Sequence, residues 1–350
     1  MKNKSLINHI LIIFSITLFT GCSEDDDNIV NTYGDNVSNI TFILSEGSFQ
    51  SNDASLWLVN DGILNESSLN PTGDTGNSMT VNNNKLYVVN NGTSNLVIYS
   101  IESNGTLTET NVIDLESSSP REIVIIDNVA YISQCASKSI AAVDLASLVI
   151  DPIDVPGCPE GLATDGESLY AAIKYEDTSV PWPYPAGNTI EKINLTSREI
   201  VESISVSSNP DKILYHNSYL YVTSQYGDYL TGYFYVTDKI DISSSTVTTK
   251  DHGGDVSFGS DLGLHNDRVY RAYQNGIIAF NVDLSIDTTT YIGADLTGLY
   301  SMTINEDLIY LGFSDYSAPD NVVVMDFNGT TISNFEVGAN PGSFAFWKSE

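Results

Sequence analysis

A short hairpin recurs along the chain. Each copy is an apolar strand, a polar turn of Asn, Asp, Glu, Gly or Ser, and a second strand with a tyrosine among apolar residues. Turn and second strand read Asn84-Lys85-Leu86-Tyr87-Val88, Asn128-Val129-Ala130-Tyr131-Ile132 and Glu167-Ser168-Leu169-Tyr170-Ala171. Three further copies are Ser218-Tyr219-Leu220-Tyr221-Val222, Asp267-Arg268-Val269-Tyr270-Arg271 and Glu306-Asp307-Leu308-Ile309-Tyr310. Five central tyrosines fall at 87, 131, 170, 221 and 270, and the sixth copy reads as shifted by one, to Tyr310. An irregular period of about 45 residues fits one four-stranded propeller blade per repeat. A β-sandwich has no reason to repeat one hairpin at that interval.

A seventh copy is split. Ile40-Thr41-Phe42-Ile43-Leu44 has second-strand character with no first strand ahead of it, and Ser343-Phe344-Ala345-Phe346-Trp347 reads as a first strand with no partner after it. Pairing these two segments closes a ring and removes two exposed sheet edges. The prediction is therefore an all-β, seven-bladed propeller over residues 40–348, closed by a C-terminal strand that completes the N-terminal blade. A Pro or Gly precedes most inner strands (Pro120, Pro159, Pro210, Gly298, Pro341), where a residue without a ladder donor is tolerated. Third strands end on a turn-forming Asp or Asn, as at Asp144, Asn194 and Asp326.

Composition agrees and excludes one function. Hydrophobic residues make up 41% of the 350, with 20 Tyr, enough for a large core. Against 14 Lys+Arg stand 45 Asp+Glu, a formal net charge of −31. Such a surface repels a phosphate backbone, so no nucleic-acid partner is expected.

The N-terminal segment reads as an address. Lys2 and Lys4 precede an apolar run, Ile10 to Phe19, that is too short to span a bilayer and matches a signal-peptide core over residues 1–21. The run ends in Leu18-Phe19-Thr20-Gly21-Cys22, which resembles the bacterial lipobox, so Cys22 is the expected lipidation site. Residues 22–39 then form an acidic linker opening on Ser23-Glu24-Asp25-Asp26-Asp27, similar to the surface-export signal of Bacteroidetes lipoproteins. The expected location is the outer membrane, held by lipid alone and facing the cell surface.

In a propeller, loops entering inner strands and loops joining second to third strands share one face. On this chain those loops carry aromatics and amides, which suit a flat, polar-rimmed small molecule or a glycan. The candidate ligand-binding residues are Glu46, Phe49, Asn91, Arg121, Tyr175 and Trp182, with Tyr184, Tyr226, Tyr229, Tyr273 and Tyr316. The Tyr175–Asn188 insertion holds Trp182 among Pro181, Pro183 and Pro185, so it loses little entropy on docking. Cys135 and Cys158 fall on this face in neighbouring blades, and in an exported protein they are expected to form a disulfide.

Catalysis finds little support. His216 and His265 sit at the far ends of inner strands and read as turn residues on the opposite face rather than as a metal or acid–base pair. No nucleophile elbow, P-loop or paired-histidine motif is present. The converging carboxylates of a metal-dependent lactonase cannot be placed from the sequence, and neither a metal nor a cofactor is expected.

The opening stretch Ile43-Leu44-Ser45-Glu46-Gly47-Ser48-Phe49, followed by Gln50-Ser51-Asn52-Asp53-Ala54-Ser55-Leu56, resembles the start of YncE-like propeller lipoproteins of Bacteroidetes. The likeness extends as a repeat pattern over residues 40–347. It implies capture of a small molecule at the cell surface, a corrinoid such as cobalamin in the BtuG-type members, and its delivery to a TonB-dependent outer-membrane receptor. Two other readings stay open: an adhesin or scaffold binding protein or polysaccharide, and a metal-dependent propeller hydrolase or lactonase.

Overall fold

The computed structural model describes residues 38–60, 62–66, 72–228, 230–256 and 261–349. The signal segment, Cys22 and nearly all of the acidic linker lie outside these residues. The described chain forms 28 strands in seven four-stranded antiparallel sheets, one per blade. From blade 1 to blade 7, the inner strands are β28 (Pro341–Lys348), β4 (Gly76–Asn82), β8 (Pro120–Ile126), β12 (Cys158–Thr164), β16 (Pro210–His216), β20 (Gly263–His265) and β24 (Leu299–Asn305). The second strands are β1 (Asn39–Ser45), β5 (Lys85–Asn90), β9 (Val129–Gln134), β13 (Ser168–Tyr175), β17 (Tyr219–Asp228), β21 (Arg268–Tyr273) and β25 (Leu308–Phe313). Third strands are β2 (Ser55–Asn60), β6 (Asn95–Ile101), β10 (Ser139–Asp144), β14 (Ala186–Asn194), β18 (Gly232–Asp241), β22 (Gly276–Phe280) and β26 (Asp320–Asp326). The outer strands are β3 (Ile63–Glu66), β7 (Leu107–Asp114), β11 (Ile150–Asp154), β15 (Ile200–Ser205), β19 (Thr246–Gly253), β23 (Ile286–Gly293) and β27 (Thr331–Val337).

The ring closes as the split repeat requires. β28 pairs antiparallel with β1, with Ile43 opposite Phe344 and Phe42 opposite Ala345. Phe344 and Trp347 are buried, and the Trp347 indole N–H donates to Asn84 Oδ1 in blade 2 at 2.8 Å. One short strand thus completes blade 1 and grips its other neighbour.

The repeated tyrosine has one packing role. Tyr87, Tyr131, Tyr170, Tyr221, Tyr270 and Tyr310 are each the third residue of a second strand, and each is buried. Each side chain fills the seam to the next blade; Tyr87, for example, packs with Ile123, Ala130 and Ile132 of blade 3. Tyr131, Tyr170, Tyr221, Tyr270 and Tyr310 repeat this at the following five seams. Tyr310 is not displaced: it faces Thr303 as Tyr87 faces Thr80. Glu306 and Asp307 are both turn residues, so counting from Glu306 adds one position that the hairpin does not have. In blade 1 Phe42 occupies this station.

The polar turns behave as read. Asp144 caps its turn by accepting from the backbone N–H groups of Ala146 and Ser147, and Asn194 does the same for Thr196 and Ser197. Outer strands such as β7 and β15 alternate or run exposed, and their Glu and Thr side chains discourage edge-to-edge pairing.

Closure by β28 yields the first prediction. A chain lacking Pro341 through Glu350 leaves β1 as an open edge and removes the strand that packs against β4 and β24 of the neighbouring blades, and it is expected to lose its cooperative thermal transition and to aggregate. Adding a synthetic peptide of that sequence should restore a single transition in calorimetry. An unaltered melt of the truncated chain would show that the ring does not depend on this strand.

Candidate functional site

The site begins with a bulge. In the six blades where the start of the inner strand is described, the pairing of inner with second strand slips close to its upper end. Examples are the slips between Pro120 and Ile123, between Pro210 and Ile213, and between Leu299 and Ser301. A bulge interrupts the in–out alternation and re-aims side chains. Arg121-Glu122, Asp211-Lys212 and Tyr300-Ser301 therefore send residues that follow one another to the central channel. Buried hydroxyls tie the bulges down: Ser133 Oγ accepts from the Glu122 N–H at 2.9 Å and donates to the Glu160 carbonyl at 2.6 Å. The Thr223 hydroxyl accepts from the Lys212 N–H at 3.0 Å.

Two cavities follow one another down this axis. On the upper face, a bowl of about 900 Å³ is walled by Tyr175, Trp182, Tyr184, Tyr233, Tyr235, Tyr300 and Tyr316, with Asn209, Gln225 and Ser314 as polar groups and Lys174 as its one charged residue. Tyr175 and Tyr184 meet edge to face at 5.3 Å, and Tyr300 and Tyr316 at 6.1 Å, so the walls brace one another. Trp182 and Tyr316 are each 65% exposed and free to meet a ligand. Below lies a polar waist of about 260 Å³, lined by Glu46, Asn77, Arg121, Glu160, Asp211, Lys212, Thr223, Ser224, Asp261 and Arg271 among others. Lys174, Gln225, Tyr235 and Tyr300 border both cavities, so bowl and waist are continuous. Gly342 leaves room for the Glu46 carboxyl in its present position, since a Cβ there would sit 2.4 Å from Glu46 Oε1 and displace that side chain.

The waist is a web of ion pairs. Lys174 Nζ lies 3.2 Å from Asp211 and 3.8 Å from Glu160, Arg121 lies 3.8 Å from Glu160, and Lys212 lies 2.8 Å from Glu122. Burial works against charge on Lys174, but Asp211 and Glu160 more than offset it and hold the ammonium protonated. Burial likewise works against charge on Asp211, and Lys174 and Lys212 overcome it and keep this carboxyl below its usual range. Glu46 has the opposite balance. Burial pushes its carboxyl up to about 7, against the Tyr300 hydroxyl that hydrogen-bonds it and the charges of Lys212 and Arg121. Burial raises Asp261 to about 6 and lowers Arg271 to about 10.

The structure brings only part of the expected set together. Tyr175, Trp182, Tyr184 and Tyr316 line the bowl, and Glu46 and Arg121 line the waist. Phe49 is 70% exposed and lines neither cavity. Asn91 is a fastener, its amide donating to the Pro120 carbonyl at 2.8 Å. Tyr226 stacks on Phe234 and donates to Asp251, and Tyr273 donates to Asp255, so both hydroxyls are engaged outside the bowl. Tyr229 lies outside the described residues. Lys174, Glu160, Asp211, Lys212, Asp261, Arg271, Tyr233, Tyr235 and Tyr300 were absent from the expected set. The carboxylates that the sequence did not place do converge in the channel, but interleaved with cations. Among the described residues, no group of three or more His, Cys, Asp or Glu is placed to hold a metal ion. His216 and His265 are not turn residues but the last residues of the inner strands β16 and β20, at the ends away from the bowl, with His265 stacked on Phe327 at 3.6 Å.

Cys135 and Cys158 form a disulfide, with Cα atoms 4.1 Å apart, joining the loop after β9 to the start of β12. Next to it, Lys138 pairs with Asp177 at 3.2 Å, and the Glu176 N–H bonds the Pro185 carbonyl at 2.9 Å. The loop bearing Trp182 is thus fastened at its base to two blades.

Fold and cavity together define a seven-bladed propeller with an axial cavity, and its structural neighbours include 6-phosphogluconolactonase-type propellers. A candidate 6-phosphogluconolactonase of Bacteroides uniformis superposes with a TM-score of 0.66 at 11% identity, over 89% of this chain and 100% of that one. Another, of Bacteroides fragilis, gives 0.64 at 14% identity over 89% and 98%. Streptogramin B lyase gives 0.58 at 10% identity over 87% and 91%. No family model matches the chain, and no curated protein sequence matches it.

The Glu46 carboxyl generates a prediction about pH. The folded protein retains a proton on Glu46 up to about pH 7, whereas an unfolded chain releases it near 4.5. Folded protein then binds the extra proton across that window, so this group's contribution to stability falls as pH rises through it. Urea unfolding of wild type and Glu46→Gln from about pH 5 to about pH 8 should show the variant gaining roughly 1–3 kcal/mol relative to wild type at the alkaline end. A pH-independent difference between the two would show an ordinary carboxyl.

Proposed function

We propose that the chain is a surface lipoprotein whose propeller captures a small molecule from the upper face, without transforming it, and passes it to a TonB-dependent outer-membrane receptor. The observation that carries the capture reading is the continuity of an aromatic bowl with a polar waist through Lys174, Gln225, Tyr235 and Tyr300. Mutually packed aromatic walls recognise ring faces at low entropic cost, and the waist supplies orientation through fixed donors and acceptors. The YncE-like resemblance adds the corrinoid as a ligand and the receptor as a partner. The lipobox-like segment ending at Cys22 adds the anchor.

Two measurements test this reading. Cobalamin, cobinamide and a panel of neutral saccharides are screened for a rise in melting temperature. For whichever probe shifts the wild type, Trp182→Ala and Tyr316→Ala should weaken binding by about tenfold each while leaving the apo melt unchanged. Phe49→Ala and Tyr273→Ala, outside the bowl, should bind as wild type does. A shift from no probe, or equal losses in all four variants, would overturn capture at the bowl. For the anchor, radiolabelled palmitate should be incorporated into the wild-type protein in cells and not into Cys22→Ala; equal labelling would remove the lipoprotein assignment.

A further inference from the structure

The waist is balanced in charge, although the chain carries −31. With the buried Glu46 holding its proton to about pH 7 and Glu122 paired to Lys212 from just below, four carboxylates (Glu122, Glu160, Asp211, Asp261) face four cations (Arg121, Lys174, Lys212, Arg271). Those cations are four of only 14 Lys+Arg in the whole chain. Three are paired with carboxylates, as described above. Arg271 is not: it is 2% exposed and gives one N–H group to the Val236 carbonyl at 3.1 Å and the Thr237 hydroxyl at 2.8 Å. Its Nε has no hydrogen-bond partner, and no ion pair reaches it among the described residues. Arg121 Nε and Ser224 Oγ, in the same wall, also lack hydrogen-bond partners. A buried polar atom left unpaired costs about 1–3 kcal/mol, so such atoms are uncommon in folded proteins. These three atoms are sealed from solvent, so a ligand meets instead the polar groups that line the cavity, among them the Glu160, Asp211 and Asp261 carboxyls, Lys174 and Gln225.

The balance of charge selects the ligand's chemistry. A net-charged group entering the waist would lose its hydration and meet as many like charges as opposite ones. A neutral group with several hydroxyls is treated differently. Each hydroxyl can donate to a carboxylate of Glu160, Asp211 or Asp261 and accept from Arg121, Lys174 or Gln225, so lost water is replaced bond for bond. Directly above, the bowl offers the flat faces of Trp182, Tyr184 and Tyr316, against which the C–H faces of a sugar ring pack. The geometry points to a neutral carbohydrate as the captured ligand, with one ring in the waist and the following rings against the aromatic walls. This inference rests on the capture reading and narrows it to one chemical class.

Its test uses the full chain in detergent and isothermal calorimetry. The probes are neutral gluco-, manno-, galacto- and xylo-oligosaccharides, the matching uronic acids, and cobinamide. Expected are binding of a neutral oligosaccharide, an affinity unchanged between about 50 mM and about 500 mM NaCl, and losses of about tenfold or more in Gln225→Ala and Trp182→Ala. Circular dichroism of both variants checks that they are folded. If only uronic acids bind, with an affinity that falls as salt rises, the class is anionic and the inference is wrong. Binding of cobinamide but no sugar also overturns it, and leaves capture at the bowl intact. Sugar binding that both variants retain puts the sugar elsewhere and overturns the assignment to this cavity. If no probe binds, the carbohydrate inference and the capture reading fall together.

Discussion

The pairing of β28 with β1 is the constraint on which the rest of the molecule depends. It joins segments separated by roughly 300 residues, and closing a loop of that length costs about 5 kcal/mol in chain entropy. Burial of Phe344 and Trp347 contributes roughly 1.5–3 kcal/mol each, and each ladder hydrogen bond adds about 0.5–1.5 kcal/mol. Seven paired positions along the two strands are therefore enough to offset the closure term. The consequence reaches the axis. Gly342 belongs to the closing strand and leaves room for the Glu46 carboxyl, while the Ser301 hydroxyl donates to the Pro341 carbonyl at 2.5 Å. With the ring open, neither contact exists, and the waist loses one side of its wall.

Much of this architecture is legible in the sequence because a seam tyrosine sits at one station in six of the seven repeats. Its spacing reports the blade, and the missing half-repeats at 40–44 and 343–347 report the closure. The disulfide is legible for the same reason: once the repeats are in register, Cys135 and Cys158 fall on one face of adjacent blades. The waist is harder to see. Its residues come from several strands far apart in sequence, and each is unremarkable where it stands. Alternation within a strand would also send only one of Arg121 and Glu122, or of Asp211 and Lys212, towards the axis. The bulge breaks that rule and sends both. A signal was present: the dipeptide after four of the inner-strand Pro or Gly residues is polar or charged, Arg-Glu at Pro120, Glu-Gly at Pro159, Asp-Lys at Pro210 and Asn-Ser at Gly76. The aromatic candidates were legible only in part, because a strand-end tyrosine such as Tyr226 or Tyr273 can fold back onto its own blade and bond a nearby aspartate.

The net charge acquires a different meaning once its distribution is known. Acidic side chains on outer strands and turns, such as Asp144, Asp241 and Asp326, cap backbone N–H groups and remain in water. Their field is screened within about 8 Å at physiological salt, so it reaches the axial waist weakly. Inside, the opposite regime holds. Charges in an enclosed space interact strongly, and Lys174 and Lys212 stay protonated only because carboxylates stand beside them. The same enclosure leaves Glu46, without a cation in contact, holding its proton to about pH 7.

Preorganisation follows from this arrangement. Before any ligand arrives, Asp211, Glu160 and Glu122 are held by Lys174, Arg121 and Lys212, while the bulge hydroxyls of Ser133 and Thr223 fix the backbone beneath them. A ligand entering the waist therefore need not order flexible side chains, and the entropy that binding usually costs there has been met during folding. The bowl is built on the same principle, with Tyr175 against Tyr184 and Tyr300 against Tyr316. The exposed Trp182 completes it on a loop whose base is tied to blade 3 by the Lys138–Asp177 pair, beside the Cys135–Cys158 disulfide. Rigid walls above a base of paired charges are suited to holding a molecule in one pose. The propeller fold by itself does not choose between holding and transforming, since the same ring recurs in proteins named for lyase and lactonase activities.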